Sequence, residues 1–192
     1  MKNLELKAEL RDPDLARIIC QKMGAGRVVK LKQTDTYYNV ARGRLKRRSS
    51  IAMDRAVGSP EPIEYIFYER ENRVDAKVSE YQIYTHAQVQ ERFGQAPLPV
   101  WLTVEKNREL YLYTNDGITT RIHLDEVRDL GSYFEYEILI EDDADMDSAQ
   151  DQATLLQATF LPALGEPIAS SYSDLLEQHQ SLSQSEPDAG NS

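Results

Sequence analysis

The sequence contains little cysteine and no long apolar run. Cys20 is the only cysteine among 192 residues, which excludes an internal disulfide and a metal site built from several thiolates. No stretch approaches the ~20 apolar residues of a membrane-spanning helix. The first residues, MKNLELKAEL, also lack the apolar segment of a secretory signal peptide. We therefore expect a cytoplasmic protein that has no membrane partner.

Basic residues are scarce in the second part of the chain. Residues 1–60 contain 14 Lys and Arg against 6 Asp and Glu, whereas residues 61–192 contain 8 against 26. No Lys or Arg follows Arg128. The net charge of −10 argues against a nucleic-acid partner. A fold that joined the basic and acidic parts at one site would suit a multiply charged anion carried with a metal ion.

The alternation of apolar and polar residues predicts most of the secondary structure. Residues 3–10 alternate strictly, as in a strand. Asp12 as N-cap, Pro13 at the first helical position and Gly24 at the end then predict a helix. Further strands are predicted at 28–40, 43–49, 63–71, 77–84, 101–113, 118–127 and 133–140, and further helices near 86–93, near 148–161 and after Ser171. About eight strands with few helices predict an α+β fold, mainly antiparallel, built as a sheet or barrel.

Two segments have the composition of a loop or a tail. Residues 49–62 are rich in Ser, Gly and Pro, which predicts a loop. The end of the chain, SLSQSEPDAGNS, has no aromatic or branched anchor beyond Leu182. We therefore expect one domain over residues 1–177 and a disordered tail over 178–192.

Charged side chains recur at every second position of the predicted strands. In TRIHLDEVRDLGSYFEYEI, residues 120–138, Arg121 and Asp125 share one face of the first run, and Glu135 and Glu137 share one face of the second. The charged side chains in such positions on the successive strands are Glu5, Lys7, Arg44, Lys46, Arg48, Arg70, Lys106, Arg108, Arg121, Asp125, Glu135 and Glu137. The spacing alone fits either a solvated face or an enclosed charged site.

Six segments occur in the order and spacing of a known superfamily: NLELK, TDTYYNVARGRLKRR, YERENRVDAKVSEY, VEKNRELY, TRIHLDEVRDLGSYFEYEI and SYSDLL. On these segments the chain resembles the CYTH superfamily, the triphosphate tunnel metalloenzymes, and is most similar to the bacterial class IV adenylyl cyclase-like branch. The resemblance implies an eight-stranded antiparallel β-barrel with flanking helices. It also implies that the charged face lines a tunnel that binds a triphosphate group with a divalent metal.

The resemblance assigns roles to single residues. It implies Mg²⁺ or Mn²⁺ ligands at Glu5, Glu135 and Glu137, while Asn3 replaces the family's first glutamate. It implies catalytic roles for Lys7, Arg108 and Asp125. The implied substrate-binding cations are Lys7, Arg44, Lys46, Arg70, Lys106, Arg108 and Arg121, and the roles of Arg48 and Lys77 are left open. Glu137 could instead pair with a neighbouring arginine, and His123 could be a hydrogen-bonding neighbour or a base.

The expected function is that of an enzyme that acts on a triphosphate. The leading case is conversion of ATP to cyclic AMP and pyrophosphate. A triphosphatase that releases phosphate from tripolyphosphate or thiamine triphosphate is the first alternative. The second is a non-catalytic module that binds nucleotides or polyphosphate, which the loss of the first glutamate favours. A homodimer is left open.

Overall fold

The computed structural model describes residues 2–54, 59–69, 75–141 and 146–185. The strands in these ranges are β1 (Lys2–Leu10), β2 (Gly26–Tyr38), β3 (Arg44–Ala52), β4 (Ser59–Pro60), β5 (Glu64–Glu69), β6 (Lys77–Tyr84), β7 (Val100–Asn115), β8 (Ile118–Val127), β9 (Gly131–Ile140) and β10 (Leu164–Pro167). The helices are α1 (Pro13–Lys22), α2 (His86–Phe93), α3 (Met146–Phe160) and α4 (Tyr172–Ser185), and a 3₁₀ turn spans Leu161–Ala163. None of these helices is both long and apolar enough to cross a membrane.

Eight of the strands form a closed antiparallel barrel. The order is β1-β6-β5-β3-β2-β7-β8-β9, and the pairing of β9 with β1 closes it. The two short strands lie outside this path, with β4 on β3 and β10 on β1. The predicted α+β fold with an eight-stranded barrel is therefore confirmed.

Local sequence signals set several element ends. The Asp12 side chain accepts a hydrogen bond from the Leu15 amide at 2.9 Å, which caps α1, and Gly24 follows the helix with φ of +83°. Asp116 and Gly117 both have positive φ between β7 and β8, as a tight hairpin turn requires. The predicted helix is thus confirmed, and a tight hairpin joins β7 to β8.

The structure differs from the sequence prediction in two segments. The predicted loop at 49–62 contributes to the sheet, because β3 continues to Ala52 and β4 pairs with it. Helix α4 continues to Ser185, so residues 178–185 are helical where a disordered tail is predicted. Arg70 and residues 186–192 lie outside the described residues.

The main hydrophobic core lies outside the barrel. Leu4 and Leu6 of β1, Ile122 of β8 and Phe134 of β9 point outward and pack beneath α1 and α3. The Phe134 and Phe160 rings lie 4.6 Å apart between their centroids. Burial of such side chains contributes about 1.5–3 kcal/mol each. The helices therefore cover the apolar outer face, and the other face of the same strands is left to line the interior.

Candidate functional site

The barrel encloses a cavity of about 160 Å³. Its charged lining consists of Lys7, Lys46, Arg48, Lys106, Arg108, Arg121, Glu64, Glu135 and Glu137. Tyr37, Tyr68, Tyr81 and Tyr172 supply aromatic surface to the same cavity. Most of the charged side chains that share a strand phase therefore lie around one cavity. Of the two interpretations that the spacing left open, the structure favours an enclosed charged site and not a solvated face.

Arg108 lies at the centre of the acidic side of the cavity. Its Nε and Nη2 donate to both carboxylate oxygens of Asp125 at 2.7 and 2.6 Å, and Nη2 also donates to Glu135 at 2.9 Å. The strand register explains this contact, because Arg108 of β7 lies opposite Asp125 of β8. Although burial would raise the pKa of Asp125, the Arg108 guanidinium outweighs burial and lowers it. Asp125 is thus held as a carboxylate.

Glu135 has two further basic neighbours, Lys7 and His123. We name the five side chains Arg108, Asp125, Glu135, Lys7 and His123 the Arg108 group. Lys7 Nζ lies 3.7 Å from one Glu135 oxygen, and His123 Nδ1 lies 3.4 Å from the other. Burial would raise the pKa of Glu135, but the three basic side chains hold it well below its ordinary value. His123 is therefore a hydrogen-bonding neighbour of the site in this structure.

Arg121 and Glu137 pair further along the cavity. Arg121 Nη1 lies 3.5 Å from the Glu137 carboxylate and 3.3 Å from the Tyr81 hydroxyl, to which it donates. The ion pair that the sequence left open for Glu137 is therefore present. A metal-binding role for Glu137 remains a prediction.

A second charged group surrounds Asp35, which sequence reasoning missed. Arg48 donates to both Asp35 oxygens at 2.7 Å, and Lys46 and Lys106 each donate to Oδ2 at 3.1 Å. We name these four residues the Asp35 group. Asp35 lies at an inward position of β2 in the segment TDTYY, in phase with Tyr37, and this alternation is the signal that could have identified it.

Burial shifts the protonation equilibria of the Asp35 group. Burial would raise the pKa of Asp35, but its three cationic partners outweigh burial and hold that pKa well below its ordinary value. Burial lowers the pKa of Lys106 to about 7, although the Asp35 carboxylate acts in the opposite direction. Lys106 is 4% exposed, so its charge near neutral pH depends on its buried neighbours.

The start of α4 closes over one end of the cavity. The predicted helix after Ser171 is confirmed, and Ser171 caps it, because its Oγ accepts a hydrogen bond from the Asp174 amide at 3.2 Å. Arg44 contacts Ser171 Oγ and, at 2.9 Å, the Asp174 carboxylate. The Tyr172 hydroxyl donates to Asp125 at 2.8 Å, and its ring centroid lies 4.1 Å from Lys7 Nζ. Arg44 is therefore placed at the mouth rather than among the lining side chains.

The residues present fit a divalent cation. One ligand atom from each of His123, Glu135 and Glu137 lies within 4.8 Å of the other two. Glu5, which the resemblance implied as the third ligand, is buried opposite Glu137 in the β1–β9 register, but the side chain that lies close to both glutamates is that of His123. Asn3 Oδ1, in phase with Glu5, is buried and has no hydrogen-bond partner among the described residues. Carboxylate and amide oxygens are the donors that Mg²⁺ and Mn²⁺ prefer.

Solved structures with this fold come from several organisms. The PH1819 protein of Pyrococcus horikoshii OT3 is 20% identical, has a TM-score of 0.64, and aligns over 92% of this chain and 98% of its own. A Vibrio parahaemolyticus protein proposed to be an adenylate cyclase is 16% identical with a TM-score of 0.61, over 91% of this chain and 97% of its own. At these identities the likeness concerns the fold.

A third solved structure with this fold is that of HpAC1 from Hippeastrum. HpAC1 of Hippeastrum, proposed to be an adenylyl cyclase, is described as having a dominant triphosphatase activity. It is 12% identical with a TM-score of 0.57, over 92% of this chain and 95% of its own. No curated protein sequence matches this one. The sequence matches the CYTH domain over residues 1–172, and the chain, with its closed barrel, belongs to the CYTH family.

Proposed function

We propose that this protein is a metal-dependent enzyme that acts on a triphosphate inside its barrel. The observation that carries the proposal is the cavity lining, in which six cations meet a cluster of carboxylates within one enclosed space. Lysine and arginine bind phosphate oxygens, and carboxylates hold the metal ion that accompanies them. A triphosphate with its metal ion has both kinds of charge, and so it complements this lining.

The residues of the chain divide into those that bind phosphate and those that hold metal. Lys46, Arg48 and Lys106 supply positive charge on one wall, and Lys7 and Arg121 approach from others. Glu135 and Glu137 would hold Mg²⁺ or Mn²⁺, with Glu5 beside them in the strand register. When bound, the metal would polarise the phosphorus that is attacked. Fixed cations of this kind stabilise the charge that develops during phosphoryl transfer.

Hydrolysis of a compact triphosphate is the reaction that the geometry supports best. The charged cavity of about 160 Å³ is by itself smaller than the ~300–1,000 Å³ of sites that bind drug-sized ligands, although it is partly open and shares Tyr68 and Tyr81 with a neighbouring cavity of about 730 Å³. Tripolyphosphate has no base or sugar to accommodate, whereas ATP requires room for both. In this reaction water attacks the terminal phosphorus and its bond to the bridging oxygen breaks. The diphosphate part of the substrate is the leaving group, and the terminal group is released as phosphate.

Cyclisation of ATP is the second candidate. Its support is the resemblance to the class IV cyclase-like branch, together with the tyrosines that line the cavity and offer surfaces for stacking a base. In this reaction the ribose 3′-hydroxyl attacks the α-phosphorus and pyrophosphate leaves. The two reactions share the cations and differ in the nucleophile and in the phosphorus that is attacked.

The test is a product assay on the purified chain with ATP, tripolyphosphate and thiamine triphosphate, each with Mg²⁺ and with Mn²⁺. Phosphate release from tripolyphosphate that stops on chelation of the metal is the expected result. Cyclic AMP and pyrophosphate from ATP would instead establish the cyclase. If tripolyphosphate and ATP bind with metal but give no product, the chain is a binding module and the proposal is wrong.

A further inference from the structure

The Asp35 group has an unusual ratio of charges. One carboxylate contacts three cations, so the four side chains carry a net charge of +2 when Lys106 is protonated. The Arg108 group is different, because two carboxylates meet Arg108, Lys7 and His123. Glu64 lines the cavity opposite Arg48 in the β3–β5 register, but within the described residues no ion pair joins it to the group. Uncompensated buried charge is costly.

The contacts within the group fix where the cations lie. Arg48 is held by two parallel hydrogen bonds, which set the plane of its guanidinium. Lys46 from β3 and Lys106 from β7 reach the same oxygen, Oδ2, from the two strands that flank β2. Asp35 itself is 1% exposed and does not line the cavity, whereas its three partners do. The carboxylate thus lies behind a layer of cations that faces the ligand space.

We propose that Asp35 is a positioning residue that holds Lys46, Arg48 and Lys106 as an anion-binding layer for one phosphoryl group, which binds there without a metal ion. The inference rests on the proposed function, because it takes the ligand to be a triphosphate. The inference assigns different ligands to the basic side and to the acidic side of the cavity. The Asp35 group takes a phosphoryl group directly, and the carboxylates near Arg108 are left for the metal.

Simple electrostatics predicts the opposite effect for Asp35. A carboxylate near a bound phosphate repels it, so removing the carboxylate would strengthen binding if charge alone mattered. If Asp35 positions the cations, its removal frees three side chains that then repel one another in a buried space. Binding would then weaken, although the site becomes more positive. The direction of the change therefore distinguishes the two roles.

Asp35 also affects whether Lys106 is charged. The groups that face Lys106 are Asp35 on β2, Lys46 and Arg48 on β3, Arg108 on its own strand and Asp125 on β8, and the Tyr172 ring of α4 lies 5.4 Å away. Asp35 and Asp125 favour the protonated ammonium, and the two arginines oppose it. Loss of Asp35 therefore makes Lys106 lose its proton at lower pH. Anion binding should follow the same shift.

The experiment measures tripolyphosphate binding by calorimetry in the presence of a chelator, from pH 6 to pH 9. For Asp35→Asn we expect affinity to fall by about tenfold or more at pH 8, as is typical for the loss of one partner from a buried hydrogen-bonded charge pair. The pH at which binding weakens should also move below the wild-type value. Asp35→Glu keeps the charge but changes its reach, so its affinity should fall while its pH profile stays near that of the wild type.

The matched control is Glu109→Gln. Glu109 is also a buried carboxylate with a bidentate arginine partner, Arg17, but it lies on the outer face of β7. Its loss should leave tripolyphosphate binding and the pH profile unchanged. If Asp35 only stabilised the fold, tripolyphosphate binding would change by the same amount in the Asp35 variants and in Glu109→Gln.

Unchanged or tighter binding by Asp35→Asn would overturn the inference. If that variant does not fold, Asp35→Glu decides, because wild-type affinity there would show that only the charge matters. Wild-type binding that requires a metal would also overturn it, while leaving the proposed function intact. If the wild type binds tripolyphosphate neither with nor without metal, both the inference and the proposed function are wrong.

Discussion

The inner and outer faces of the barrel are built from the same strands but differ in chemistry: the outer face is apolar, and the inner face around the cavity is charged. On β9, Phe134, Tyr136 and Ile138 point outward and are fully buried beneath the helices, while Glu135 and Glu137 point inward. The outer face supplies the apolar burial that stabilises folding. The inner face carries charge that is expensive to bury and contributes little to stability. The two-residue period of the strands thus sets the two kinds of face apart, except where the inward side chains of Tyr37, Val104 and Tyr133 form a hydrophobic cluster with α4.

The largest effect is expected on the outer face. Phe160→Ala removes an aromatic ring that packs on Phe134 with no exposed surface, so we expect it to lower the free energy of unfolding by about 3–5 kcal/mol. Chemical denaturation measures this loss. Tripolyphosphate affinity of the folded variant should stay at the wild-type value.

The control for this change is Leu161→Ala, one residue further along, where the side chain is 70% exposed. It should change the unfolding free energy by less than about 0.5 kcal/mol. A loss below 1 kcal/mol for Phe160→Ala would show that the main core does not lie between the barrel and α3.

The second prediction concerns Arg108 on the inner face. Arg108→Ala removes a guanidinium that lines the proposed substrate cavity and releases Asp125 and Glu135, so turnover should fall by about 10²-fold or more if Arg108 contacts the reacting phosphate. Phosphate and pyrophosphate release under saturating substrate measure it. Arg128→Ala, at an exposed arginine outside the barrel, is the control and should retain full turnover. Wild-type turnover in Arg108→Ala would contradict a catalytic role for this residue.

The third prediction concerns the uptake of a proton by Lys106 when tripolyphosphate binds. Because the pKa of Lys106 is lowered to about 7, this side chain is mostly neutral at pH 8, and a bound anion would restore its proton. Tripolyphosphate binding at pH 8 should therefore take up nearly one proton per site. Calorimetry in two buffers with different ionisation enthalpies measures this uptake. In Lys106→Arg the side chain is always charged, so this part of the uptake should vanish. Equal uptake in both proteins would show that another group titrates.

The smallest effect is expected at the cap of α1, on the outer side. Asp12→Ala removes the acceptor for the Leu15 amide and should lower the unfolding free energy by about 1 kcal/mol. Asp12→Asn keeps an acceptor and should recover most of this loss. Neither variant should change tripolyphosphate binding. A binding change would show that the two faces are coupled through α1.

Much of the barrel could be predicted because its signals are local. Strict alternation in β1 and the cap of α1 depend on neighbouring residues alone, and the structure confirms both. The extent of α4 was not predictable in the same way. Its polar second half has no internal signal for order, and the sequence does not show that its first turn is held by Arg44 and Asp125.

The candidate site was predicted as a set of side chains but not as two groups. Strand phase identified Lys46, Lys106 and Arg108 as inward residues, which the cavity confirms. Phase could not say which carboxylate each cation contacts, because that depends on strand order around the barrel. The alternation in TDTYY could have identified Asp35 as an inward residue, but its partners could not be predicted, since they come from β3 and β7 on either side of it.

The register of β1 has a consequence for how this chain can change in length. β1 pairs with β9 from Lys2 to Glu9 and with β6 from Lys2 to Glu5. Inserting or deleting a single residue inside this strand would turn the leucines of its outer face into the tunnel and drive Glu5 and Lys7 against α3. Such a change would damage the core and the tunnel at once. Gains and losses of residues should therefore accumulate at the hairpin turns, and length variants made in the laboratory should tolerate the turn at 115–118 far better than any position within β1.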